Sequence, residues 1–114
     1  LYLVMILLNA EEILDDLMSI LVELGATDTT IIESQSMGSL LANRIPIFAG
    51  LRLRLGGEKI YTKTVFTISE DKSIGKKIIY LLKDNGVDFD KAMGRIIVMR
   101  IESIHGEPRL PDLE

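Results

Sequence analysis

Apolar residues recur along this chain with two different periods, and the change from one to the other marks out the elements. LYLVMILL, residues 1–8, is apolar throughout. A strand with one wet face alternates and this one does not, which predicts a central strand covered on both sides. Asn9 then reads as a helix N-cap, with Glu12 three residues on at the spacing of a capping box. Leu14, Leu17, Met18, Leu21 and Leu24 follow at helical spacing, with Asp15, Asp16, Ser19 and Glu23 mostly off that face. Gly25 is a plausible stop, so the first helix is expected over 10–24. TDTTIIESQS, 27–36, is rich in β-branched residues and predicts a second strand. KIYTKTVFTIS, 59–69, predicts a third. Asp71 or Ser69 caps a second helix whose apolar face is Ile74, Ile78, Leu81 and Leu82, and Gly86 ends it. A loop, VDFDKAMG at 87–94, leads into a final strand, RIIVMRIESI at 95–104, and then a proline-marked tail.

Strand, helix, strand, strand, helix, strand is the order of a ferredoxin-like α+β sandwich: one four-stranded antiparallel sheet with two helices on one face. The prediction is a single domain over 1–105, carrying a long loop at 37–58 and followed by the tail at 106–114. Helices on one side leave the other sheet face open. The first and last strands are nevertheless apolar on both faces, since Ile96 and Val98 stand opposite Ile97 and Met99. A domain of 114 residues covers such a face most simply with another copy of itself, which predicts a homo-oligomer.

Composition narrows the classes. At 47% hydrophobic and 26% charged the chain is ordinary globular protein. A net charge of −4 argues against nucleic-acid binding, which needs a basic face. There is no cysteine, which removes disulfide frameworks, thiolate chemistry and Cys-based zinc sites, and fits a cytoplasmic location. LYLVMILL lacks the basic residue before it and the small-residue cleavage site after it that a signal peptide needs, and it is too short to span a bilayer.

No catalytic set emerges. His105 is the only histidine, and one such ligand without Cys or a second His does not make a metal site. Glu11, Glu12, Asp15 and Asp16 read as a solvated, dipole-favoured helix start. Ser34, Ser36 and Ser39 have neither a nucleophile-elbow motif nor a base partner in sequence.

Two loops carry stronger signals. DKAMGRI places Gly94 and Arg95 just before the last strand, where a glycine admits close backbone approach and an arginine can grip an oxyanion. The second is GSLLANRIPIFAGLRLRLGG, residues 38–57. It holds Arg44, Arg52 and Arg54 and no acid, inside an acidic chain. Most connections in compact domains are about 4–6 residues, and long ones tend to be functional. LRLRL, 51–55, alternates strictly: it either forms an interaction arm or extends the third strand onto a neighbouring subunit.

With these motifs in place the chain resembles the P-II-type nitrogen-regulatory signalling proteins, in the broad P-II-like group, over nearly all of 1–104. The family's loop-foot glycine is matched by Gly38 in SMGS. Its phosphate-contacting Gly-Lys-Ile before the fourth strand is matched by Gly94, Arg95 and Ile96, and its loop glycine by Gly50 in IFAGLRL. The resemblance implies a homotrimer that binds a small effector, such as an adenine nucleotide, between subunits. It implies effector contacts at Gly38, Ser39, Gly94 and Arg95. It also implies that the 37–58 loop, through Arg44, Phe48, Arg52 and Arg54, engages a protein target that is an enzyme or a transporter. Membrane contact would then be peripheral, through a transporter partner only. The match has gaps. No tyrosine lies in 38–57, so loop uridylylation is not expected. Ser39 and Leu40 replace the family's Arg and Gln, and the C-terminal Arg-x-Arg is absent, leaving His105 and Arg109.

Other ferredoxin-like classes fit less well. An ACT-type amino-acid-binding module would use a glycine turn after the first strand, where this chain has Leu8, Asn9 and Ala10. An acylphosphatase-like hydrolase needs an anion cradle at the same place, and NAEE repels anions. Dimeric-barrel oxygenases usually show more histidine and aromatic residues than the 5% aromatic content here.

Overall fold

The computed structural model describes residues 1–38, 40, 62–91 and 93–108. Its elements in chain order are β1 (Tyr2–Leu8), a 3-10 turn (Glu11–Ile13), α1 (Leu14–Glu23), β2 (Thr29–Glu33), β3 (Lys63–Ser69), α2 (Ile74–Asp84) and β4 (Gly94–Arg100). The four strands form one sheet in the order β2-β3-β1-β4, and every neighbouring pair is antiparallel. This is the expected ferredoxin-like plan, with β1 central.

The register sorts side chains onto two faces. Val4, Ile6 and Leu8 of β1 are fully buried beneath the helices. Opposite them on the same face stand Thr67 and Val65 of β3 and Val98 and Ile96 of β4. Ile13, Leu17, Ile20 and Leu21 close the core from α1, and Ile74, Ile78 and Leu82 from α2. Each such buried aliphatic side chain contributes about 1.5–3 kcal/mol relative to leaving it exposed. The helical face of the second helix is as the spacing predicts, except that Leu81 is only half-buried at the margin.

Both helices stop by the same device. At the end of α1 the Gly25 N–H donates to Val22 O (3.0 Å) and the Ala26 N–H to Leu21 O (2.8 Å). At the end of α2 the Gly86 N–H donates to Lys83 O (3.0 Å) and the Val87 N–H to Leu82 O (2.8 Å). These are the paired bonds of a Schellman motif, and both glycines hold the positive φ it requires, 77° and 84°.

The helix starts differ from expectation. Asn9 does not cap the first helix: the chain enters it through the 3-10 turn, neither start has a side-chain cap bond, and the Asn9 N–H donates to Met93 O at 3.0 Å. Asp71 does organise the start of α2, from two residues before the capping position, which falls on Ser73. Its Oδ1 accepts from the Ser73 N–H (2.8 Å) and its carbonyl from the Ile74 N–H (3.2 Å). The strands are shorter than the β-branched runs. β2 stops at Glu33, and Met37, Gly38 and Leu40 are helical, with the Leu40 N–H on Ser36 O. β4 begins one residue early, at Gly94, and stops at Arg100, its ladder closing with the Ile101 N–H on Leu1 O. Residues 102–108 then run on exposed.

Candidate functional site

The register aligns one residue from each strand in a row across one end of the sheet: Glu33 of β2, Lys63 of β3, Leu8 of β1 and Gly94 of β4. At about 4.8 Å per strand the row spans about 14 Å. Three connections leave from this end: β1 to α1, β2 to β3, and α2 to β4. Backbone bonds tie them together. The Thr62 N–H donates to Leu8 O (2.7 Å), the Ser34 N–H to Thr62 O (3.1 Å), and the Asn9 N–H to Met93 O.

Lys63 is the charged centre of this row. It faces the helix side with Val65 and Thr67, and its side chain is only 14% exposed. It bridges Glu33 across the strand pair and Glu11 in the 3-10 turn, the latter at 3.2 Å. The Glu33 hydrogen bond first, and then that of Glu11, hold its ammonium above the usual lysine range. The contact joins the foot of the β2–β3 connection to the start of the first helix. Sequence reasoning missed it, although a signal was present: in KTVFTIS a lysine shares the parity of the buried Val65 and Thr67, and a lysine on an apolar strand face needs a charged partner.

One residue along, and on the other face, lies a second row: Ile32, Thr64, Leu7 and Arg95. It begins a grid that continues with Thr30, Phe66, Met5 and Ile97, and then with Ile68, Leu3 and Met99. This is the sheet face opposite the helices. Leu3, Met5, Leu7, Phe66, Ile68 and Ile97 are half-buried, Ile32 is 46% and Met99 39% exposed, and Thr64 is buried. Apolar positions thus fill most of an open face, and Arg95 stands exposed at its corner on an edge strand.

The sequence-predicted residues divide accordingly. Gly94 and Arg95 lie side by side at the loop end of β4 and point to opposite faces. Gly38 is half-buried in the helical turn beyond β2, and the two strands β3 and β1 separate the foot of β2 from Gly94. Ser39, Arg44, Phe48, Arg52, Arg54 and LRLRL lie outside the described residues, as does Arg109. His105 is exposed past the end of β4, and Glu11, Glu12, Asp15 and Asp16 are exposed along the first helix.

Gly94 is not open to a ligand on the β1 side. A Cβ there would stand 2.1 Å from Leu7 O and 3.2 Å from Leu8 Cα. Its lack of a side chain is required first by the strand it crosses. Arg95 is free of that constraint, and its guanidinium can take a carboxylate or phosphate in bidentate fashion. Among the described residues no cluster of three His, Asp or Glu could hold a metal ion. No described helix is long and apolar enough to cross a membrane. In comparisons with known proteins, no family model and no curated protein matches the chain.

Proposed function

We propose that this chain is the subunit of a P-II-like regulatory homotrimer that works in the cytoplasm. It binds a small anionic effector at the subunit boundary and passes that signal to a protein target through the 37–58 loop. The observation that carries this reading is the open sheet face. Eight apolar side chains sit on it with no described helix above them, and exposed apolar surface of this extent favours burial against further copies of the chain. Stacking these faces brings Arg95, at the corner of each grid, to the rim of the contact between subunits. A cation at a rim partly shielded from water is well suited to hold a phosphate or carboxylate. An adenine nucleotide is the effector that the resemblance implies. The same end of the sheet emits the 37–58 loop, and Lys63 ties the foot of that loop to the first helix. An effector at this end therefore has a physical route to the loop.

Native mass spectrometry of the purified chain, with and without added ATP or ADP, tests the reading directly. It requires a trimer, with nucleotide binding that weakens in Arg95→Ala by about 1.5–3 kcal/mol, as for a hydrogen bond to a charged group. A monomer at micromolar concentration contradicts the oligomer. Nucleotide binding indifferent to Arg95→Ala contradicts the site.

A further inference from the structure

The helical face, on the opposite side of the sheet, carries a separate signal. α1 with its preceding turn presents Glu11, Glu12, Asp15, Asp16 and Glu23 and no base. α2 presents Lys76, Lys77 and Lys83 against one acid, Asp84, and Lys72 stands just before it. All of these residues are exposed. The two helices lie side by side, yet their opposite charges do not neutralise each other. Among the described residues Glu12, Asp15, Asp16 and Glu23 form no ion pair, and neither do Lys72, Lys76 and Lys83.

Between the helices runs an open groove of ≈ 720 Å³, lined by Glu23 and Leu24 from the end of α1 and by Lys76, Lys77, Tyr80 and Leu81 from α2. Tyr80 is 69% and Val22 67% exposed, large fractions for residues of their size. The groove thus pairs apolar contact area with Lys76, which has no ion-pair partner among the described residues, whereas Lys77 is held by Asp71; α1 of another copy offers a matching acidic ridge with Val22 on it.

We propose that this helical face is a second self-association surface, in which α1 of one copy lies along α2 of its partner and the partner's α1 lies along α2 of the first. A two-fold axis parallel to the helices produces both contacts at once, as an isologous interface requires. Because α1 and α2 run antiparallel within the fold, that axis sets each α1 antiparallel to the facing α2. Glu23 then lies over the Lys76 end and Asp16 over the Lys83 end. The contact is small. Helices of 10 and 11 residues are about 15 Å long and lie about 10 Å apart, so the flat footprint is well below the roughly 800 Å² per partner of a standard interface. Its strength therefore depends on charge complementarity, and it is screened by salt. The surface is independent of the open sheet face and does not rest on the effector reading.

Sedimentation velocity tests it without any ligand. The particle mass should at least double at about 20 mM salt relative to about 0.5 M salt, where charges more than a few ångströms apart are screened, because every subunit of the high-salt particle presents its own helical face. The paired substitutions Lys76→Glu and Lys83→Glu make both helices acidic, and Asp16→Lys with Glu23→Lys makes α1 basic like α2. Each variant alone should stay at the high-salt mass, because like charges then face each other. Mixed at low salt, the two variants should recover the raised mass as heteromeric particles, with circular dichroism showing that each is folded. A wild-type mass that ignores salt overturns the proposal, as does a mixture that stays at the mass of its separate components. The mass that persists at high salt reports the open sheet face, so failure of one surface is distinguishable from failure of the other.

Discussion

Gly94 packs against the carbonyl oxygen of Leu7 so closely that a Cβ on residue 94 would lie 2.1 Å from it. The backbone of β4 enters the sheet through this contact, and neither partner is a flexible side chain that could move aside. Gly94→Ala is expected to destabilise the fold by about 1–3 kcal/mol, the scale of enforced backbone strain. Urea titration measures it. An alanine variant as stable as the parent would mean that the approach is relaxed, and that Gly94 is needed for something other than packing.

Thr67 is 1% exposed and joins three segments. Its hydroxyl accepts from Thr29 Oγ1 (2.9 Å) and lies 3.3 Å from both Ala26 O and Asp28 O, at the exit of the first helix. Thr67→Val preserves shape and removes the donor and acceptor together. The expected loss is about 0.5–1.5 kcal/mol in a thermal or urea melt, the net value of one hydrogen bond.

Asp71 supplies a pH dependence of known sign. The Lys77 hydrogen bond, followed by that of the Ser73 N–H, holds its carboxyl below the usual carboxylate range. A group whose pKa is lowered on folding stabilises the fold above its unfolded value, about 4, and that contribution disappears as pH falls through the folded value. Asp71→Asn should therefore be less stable than the parent near neutrality, and the two should converge below about pH 4. Melts across that range decide it; a gap that widens on acidification would reverse the assignment.

The pairing of Glu33 with Lys63 leaves the ends of β2 and β3 side by side. Replacing 38–57 with a two-residue turn should then change closure entropy by only about 1 kcal/mol and leave the subunit folded. Under the proposed function the shortened chain loses its protein target in a pull-down. Unfolding or dissociation of the shortened chain would instead assign LRLRL to the core or to a subunit contact.

Ile32 and Met99 stand at opposite margins of the open sheet face, 46% and 39% exposed. Ile32→Asp and Met99→Asp should each cost the isolated subunit about 1 kcal/mol. If that face joins the subunits, each should also lower the particle mass measured by light scattering. An unchanged mass in both variants would rule the face out as the interface.

How much of this was legible in the sequence depends on how far each interaction reaches. Gly25 and Gly86 could be read as helix stops because a Schellman motif involves only the last turn and the two residues after it. The element order and the apolar face of α2 were legible for the same reason, since a period of 3.6 is a local property. The central place of β1 was legible from its lack of alternation, but the expected cover on both sides is present only on the helix side, over Val4, Ile6 and Leu8, while Leu3, Met5 and Leu7 are half-buried. Asn9 was misread as a cap because a 3-10 turn with its capping position at Ala10 intervenes before the helix, while the Asn9 N–H pairs with Met93 O, which reaches it only when β4 lies beside β1. The ends of β2 and β4 were overestimated because a strand lasts as long as its ladder, and β-branched runs do not report where the partner stops. Gly94 was recognisable as special, but its cause, a carbonyl from the other end of the chain, was not. The three-residue contact of Lys63 with Glu11 and Glu33 likewise exists only because the sheet order β2-β3-β1-β4 gathers three loops at one end. Local backbone chemistry set where helices turn and stop; which charge meets which, and which face stays open, was decided by strand pairing between segments far apart in the chain.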